Sequence, residues 1–147
     1  MEILPVRENK KEFLSLLLLA DESEDMIDRY LSRGDMYVLY DPDPVGECVV
    51  TDEGDGVYEI KSIAVSPTAQ KKGYGRILMD FVMDTYRDRA SLFTVGTGDS
   101  PLTVPFYERC GFREHHRIPN FFTDNYPEPI IEAGVLLTDM VVLARKP

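Results

Sequence analysis

Tryptophan is missing altogether, histidine and cysteine occur twice each, and no fully apolar run exceeds the five residues of Leu16–Ala20. Each shortage excludes something. A membrane-spanning helix needs ~20 apolar residues, so none is expected. Two cysteines, Cys48 and Cys110, supply no disulfide framework, and a reducing cytoplasm suits them. The opening MEILPV has no basic start, apolar stretch or small-residue cleavage site, so a cytoplasmic location is expected. Basic side chains are also short, 16 against 26 acidic ones, which gives a net charge of -10 and a pI near 4.6. A surface of that sign repels phosphate backbones, which argues against nucleic acid, and attracts protonated amines. The 147 residues, 44% hydrophobic and 29% charged, have the balance of one globular domain spanning 1–147.

The pattern along the chain predicts a mixed α/β order. Glu2 to Val6 reads as a strand. Phe13, Leu14, Leu17 and Leu18 share a helical face within Glu8 to Ala20, and a second helix is expected over Ser23 to Ser32. Met36 to Tyr40 and Val45 to Thr51 flank Asp41-Pro42-Asp43-Pro44, a turn sequence, and read as a hairpin. Val57 to Val65 follows as a third strand, with Tyr58, Ile60, Ser62 and Ala64 alternating with Glu59, Lys61, Ile63 and Val65. Tyr74 to Arg89 is the most regular helix, Leu92 to Thr97 a buried strand, and Thr103 to Cys110 a short helix stopped by Gly111. Phe112 to Arg117 and Met140 to Ala144 read as closing strands. Ile118 to Leu137, rich in proline, carries no clear pattern.

The most informative stretch is Gln70-Lys71-Lys72-Gly73-Tyr74-Gly75, set between a strand and a helix. Glycines there let a backbone approach an anion, and the free N–H groups and dipole of the helix start favour negative charge. Lys71 and Lys72 add local positive charge. A Rossmann fingerprint would need a third glycine or alanine at Leu78, and a P-loop would need Gly-Lys-Ser/Thr, so both are excluded. A plain glycine turn stays open on these residues alone.

Three motifs in order resemble the GNAT superfamily of N-acetyltransferases. They are the strand Glu59-Ile60-Lys61-Ser62-Ile63-Ala64-Val65, the loop Gln70 to Gly75, and Phe106-Tyr107-Glu108-Arg109-Cys110-Gly111-Phe112. The resemblance implies a mostly antiparallel sheet of about seven strands flanked by about four helices, acetyl-coenzyme A as co-substrate, and no metal. It implies that the backbone of Ile63, Ala64 and Val65 pairs with the pantetheine arm. It gives the pyrophosphate to the N–H groups of Lys71, Lys72, Gly73, Tyr74, Gly75 and Arg76, and counts Gln70 with them in the donor-binding loop. Ser100 stands where many members carry an asparagine that bonds the donor. Tyr107 is implied as the general acid for the leaving thiolate, and Glu59 as the general base for the acceptor amine. The expected activity is acetyl transfer to a small-molecule or peptide amine in a ternary complex. A non-catalytic acyl-coenzyme A sensor with the same fold is the alternative, and a homodimer stays open.

The resemblance places the acceptor groove along the early helices and the connection before the last strand, regions that carry Glu22, Glu24, Asp25 and Asp28, then Asp124, Glu128, Glu132 and Asp139 with Phe121, Phe122 and Tyr126, a content that suits a cationic amine. The same carboxylates read equally well as solubilising surface. Gly98-Asp99-Ser100-Pro101-Leu102 lacks the last glycine of a nucleophile elbow. His115 and His116, adjacent on a strand, are expected to face opposite ways and share no metal. With no Cys-x-x-Cys, zinc is not expected, and Cys110 reads as helix-end packing.

Overall fold

A computed structural model describes residues 1–147. The chain runs β1 (Glu2–Val6), a 3₁₀ turn (Lys10–Phe13), α1 (Leu14–Ala20), α2 (Glu24–Asp28), β2 (Asp35–Tyr40), β3 (Pro44–Asp52) and β4 (Val57–Val65). It continues with α3 (Tyr74–Tyr86), β5 (Leu92–Gly98), α4 (Val104–Arg109), β6 (Arg113–Ile118), α5 (Phe121–Asn125), β7 (Ile131–Glu132), β8 (Val135–Leu136) and β9 (Met140–Arg145). Seven strands form one sheet in the order β1-β2-β3-β4-β5-β9-β6, antiparallel except at β4–β5, while β7 and β8 make a separate hairpin. No helix is long and apolar enough to cross a membrane.

Each face of the sheet is covered by the apolar stripe of a helix. On one face Leu78, Met79, Val82, Met83 and Tyr86 of α3 pack on Cys48, Val50, Tyr58, Ile60, Phe93 and Val95. On the other, Leu17, Ile27, Tyr30 and Leu31 meet Met36, Val38 and Val49. Burying each such large apolar side chain is worth roughly 1.5–3 kcal/mol, so these two layers set the architecture.

The first helices are shorter than periodicity predicts. Asn9 adopts a left-handed conformation, φ 52°, so the chain enters through a 3₁₀ turn and α1 begins only at Leu14. Ser23 caps α2 from outside it, accepting from the Met26 N–H at 3.3 Å. Regular helix stops at Asp28, after which the backbone closes single turns onto Ile27. Ile118 to Leu137, patternless in sequence, holds α5 and the β7–β8 hairpin.

Two irregularities place the chemistry. β4 pairs with β5 only from Val57 opposite Leu92 to Ile60 opposite Val95, so Lys61–Val65 have no strand neighbour on that side. The second is a bulge. Val49 opposes Ser62 and Val50 opposes Ile60, which leaves Lys61 as an extra residue in β4. A bulge reverses the side-chain alternation beyond it. Tyr58 and Ile60 therefore face α3, whereas Ser62 and Ala64 share the opposite face with their partners Val49 and Glu47. Simple alternation puts Glu59 and Ser62 on opposite faces; the bulge brings both to the α1–α2 side.

Candidate active site

The Gln70–Arg76 segment is shaped by local backbone geometry. Lys71 and Gly73 both adopt left-handed conformations, φ 64° and 87°. The first helical bond of α3 runs from the Ile77 N–H to the Gly73 carbonyl at 3.1 Å, so the N–H groups of Tyr74, Gly75 and Arg76 have no helical acceptor. A Cβ added at Gly73 would meet nothing within 4 Å, so open space lies over this backbone. The sequence residues therefore fit a phosphate group here. Gly75 does something different. A Cβ there would come 3.3 Å from the Phe106 ring, so its bareness lets α4 pack against the start of α3. Gln70 Nε2 donates to the Val65 carbonyl at 3.1 Å and ties the loop to the end of β4. The Tyr74 hydroxyl donates to Asp41. Arg76 pairs with Asp80 at 3.2 Å and donates to the Arg109 carbonyl at 3.2 Å. No protein group in the fold faces Lys71 or Lys72 as an ion-pair partner closely enough to neutralise them.

Where β4 and β5 part, a cleft of about 660 Å³ opens on the α1–α2 side. Glu59, Lys61, Ser62 and Ile63 line it from β4, Thr94–Gly98 from β5, and Tyr107 from α4. Ala64 and Val65 continue β4 past the cleft, along the edge that β5 leaves free. Ser100 is buried outside the cleft lining; its hydroxyl accepts from the Leu102 N–H at 3.1 Å and closes the turn before α4.

Tyr107 is held by its ring, edge-on to Phe106 and Phe112 at 5.3 and 6.2 Å between centroids. Burial pushes its phenol far above the ordinary tyrosine value, helped by the Cys110 thiol and the carboxyls of Glu47 and Glu132. Tyr107 is therefore protonated throughout the physiological range, the state required of a hydrogen-bond donor. Glu59 is partly exposed and lies 2.9 Å from Lys61 Nζ. Burial raises the Cys110 thiol, which leaves it a packing residue.

The patternless segment forms the far wall. Phe121, Phe122 and Tyr126 line the cleft, and the Tyr126 hydroxyl donates to Asp21 at 2.7 Å while Arg29 donates to Asn125 at 3.2 Å. The acidic patches separate. Glu22 and Glu132 line the cleft with Asp21 and Glu59, but Glu24 and Asp28 turn outward to Lys11 at 2.6 and 2.8 Å. Arg29, Arg33 and Lys61 also line the cleft, so its charge is mixed rather than purely acidic. His116 lines it too. His115 is an extra residue in β6, because Glu114 opposes Leu143 and His116 opposes Val142. That bulge overturns the expected opposite orientation: the two imidazoles meet, Nδ1 atoms 2.8 Å apart. No cluster of three or more side chains suited to a metal ion is present.

Sequence reasoning missed two residues. Glu47 on β3 is fully buried; Ser62 donates to its Oε2 at 2.9 Å, and its Oε1 has no partner. The Tyr30 hydroxyl, lining the same cleft, is likewise buried without a partner. A carboxylate inside the apolar run Val45–Val50 is the only signal that could have pointed to the first.

Residues 32–114 match the family model described as an acetyltransferase (GNAT) domain. The chain is 37% identical over 139 residues to the uncharacterized N-acetyltransferase YvbK of Bacillus subtilis, covering 92% of this chain and 90% of that protein. A GNAT family acetyltransferase from Elizabethkingia anophelis, solved with acetyl-CoA bound, superimposes with TM-score 0.93 at 36% identity, covering 99% and 97% of the two chains. A Bacillus subtilis acetyltransferase in complex with CoA gives TM-score 0.91 at 34% identity, covering 99% and 98%.

Proposed function

The chain belongs to the GNAT family of acetyltransferases, and from that premise we propose that it moves an acetyl group from acetyl-coenzyme A onto a primary amine by direct attack in a ternary complex. The acceptor is a small cationic amine or a peptide amine. One observation carries the reading: β4 and β5 part beyond Ile60, and the cleft that opens there brings Tyr107 and Glu59 to one space.

Bound acetyl-coenzyme A supplies an activated acetyl thioester. The chain does the rest. The N–H groups of Tyr74, Gly75 and Arg76, with the left-handed turns at Lys71 and Gly73, take the pyrophosphate. The unpaired edge of Ile63, Ala64 and Val65 orients the pantetheine arm as an added strand would. Tyr107 donates its hydroxyl proton to the sulfur as negative charge develops there. Asp21, Glu22, Glu59 and Glu132 draw a protonated amine into the cleft, and Phe121, Phe122 and Tyr126 offer ring faces to it. Ser100 is buried outside the cleft lining, so donor contacts at that point fall to the backbone.

The test is thiol release from acetyl-coenzyme A with a panel of spermidine, an aminoglycoside, a lysine-containing peptide and an anionic amino acid. Turnover is expected with the cationic members, and acceptor KM should rise with ionic strength as long-range attraction is screened. Tight donor binding without thiol release from any amine would instead establish the sensor reading.

A further inference from the structure

Glu47 is a carboxyl placed where burial costs most, inside a β-strand at zero exposure. Charged groups are rarely buried without a partner, and an unpartnered one signals a task beyond packing. Its only hydrogen bond comes from Ser62, 2.9 Å from Oε2, and Ser62 lines the cleft. The Lys61 bulge turns Ser62 to this face. Glu59, by contrast, is held in an ion pair with Lys61 at 2.9 Å, and accepting a proton would break that pair.

We infer that Glu47, reached from the cleft through the Ser62 hydroxyl, accepts the proton that the acceptor amine must lose. The inference rests on the amine-acetylation reading above. As nitrogen bonds to the acetyl carbon and the carbon–sulfur bond breaks, the electron pair leaves with sulfur, to which Tyr107 gives its proton. The ammonium that enters the cleft gives one proton to solvent before attack, and the second, left on nitrogen as it bonds, passes to Ser62 Oγ as the Ser62 proton moves to Glu47 Oε2. Once the product leaves, the Glu47 proton returns by the same path and Tyr107 regains its own from solvent, so nothing is consumed.

The surroundings of Glu47 contain no cation that would hold it ionised. Burial raises its carboxyl from the ordinary 4.5 to about 8, and the Ser62 bond pulls the other way. The titratable neighbours that feel its charge are the phenols of Tyr30 and Tyr107 and the Cys48 thiol, and burial holds all three protonated. Of these four buried groups, Glu47 is the one that gains or loses a proton near neutrality. A base acts only when ionised, so its share of the rate should climb as pH rises towards 8 and level off above.

The experiment is a pH profile of kcat for wild type, E47Q and S62A, run with the best amine of the panel and a second acceptor of different basicity. A rise belonging to the amine moves with the acceptor; a rise belonging to Glu47 stays. At pH 7 only about a tenth of a group titrating near 8 is ionised, so E47Q should lose ~10-fold in kcat there and ~10²-fold at pH 9, flattening the fixed rise. S62A should lower kcat and flatten the fixed rise as E47Q does, because it removes the hydroxyl through which the proton reaches Glu47. Donor affinity by calorimetry should stay unchanged in both. An E47Q enzyme that keeps the fixed rise would overturn the assignment. Should E47Q not fold, S62A decides, and an S62A enzyme that keeps the fixed rise counts against Glu47. A wild type inactive with every amine would overturn the acetylation reading itself, a result distinct from either.

Discussion

Replacing Tyr107 with phenylalanine should lower kcat by ~10³-fold, about 4 kcal/mol of barrier, while leaving donor affinity within twofold of wild type. The fold should survive, because the residue is fixed by ring contacts with Phe106 and Phe112 that phenylalanine keeps. What disappears is one hydroxyl proton from the lining of the β4–β5 cleft. Burial pushes the phenol far above its ordinary value, so the resting enzyme holds it protonated across the working range. Its loss should therefore scale the whole pH profile down without adding or removing a limb, unlike the loss of Glu47. Single-turnover acetyl transfer checks this on the chemical step. An unchanged single-turnover rate would take Tyr107 out of the reaction.

The sheet was legible because its strands are punctuated by strong turn residues. Gly54-Asp55-Gly56 and Asp41-Pro42-Asp43-Pro44 bound β2 to β4 within a residue or two of their observed ends. Helix starts were less legible, since Asn9 enters a left-handed conformation that periodicity does not encode. The loop glycines were visible as a pair, yet only tertiary packing separates their roles: one opens on free space and the other receives Phe106. The two bulges were invisible. Burial in β4 alternates without a break through Lys61, so composition alone gives no sign that Ser62 has changed face. Glu47 was missed for the same reason. A glutamate between Gly46 and Cys48 looks like an outward position until the partner strand shows that both faces of β3 are covered.

Gly73→Val should weaken acetyl-coenzyme A binding by ~10²- to 10⁴-fold while the protein stays folded. Gly73 sits at φ 87°, a conformation that costs a non-glycine residue ~1–2 kcal/mol and suits a β-branched one least. The loop can relieve that cost by moving out of the left-handed region, since no atom lies within 4 Å of the added Cβ to hold it in place. Either result harms the site. If the backbone stays, the valine side chain fills the open space over the Tyr74, Gly75 and Arg76 N–H groups; if it moves, those groups turn away from one another. Charge-assisted hydrogen bonds are worth ~1.5–3 kcal/mol each, so losing two accounts for the range stated. Global stability should fall far less, because Gly73 lies outside both apolar layers. Gly75→Ala is the informative comparison. Its Cβ meets the Phe106 ring at 3.3 Å, so it should disturb the α3–α4 contact and lower the melting temperature, with a smaller effect on donor affinity than Gly73→Val. Calorimetry with acetyl-coenzyme A and thermal melts on both variants separate the two roles. Equal affinities for wild type and a folded Gly73→Val protein would move the pyrophosphate away from the start of α3.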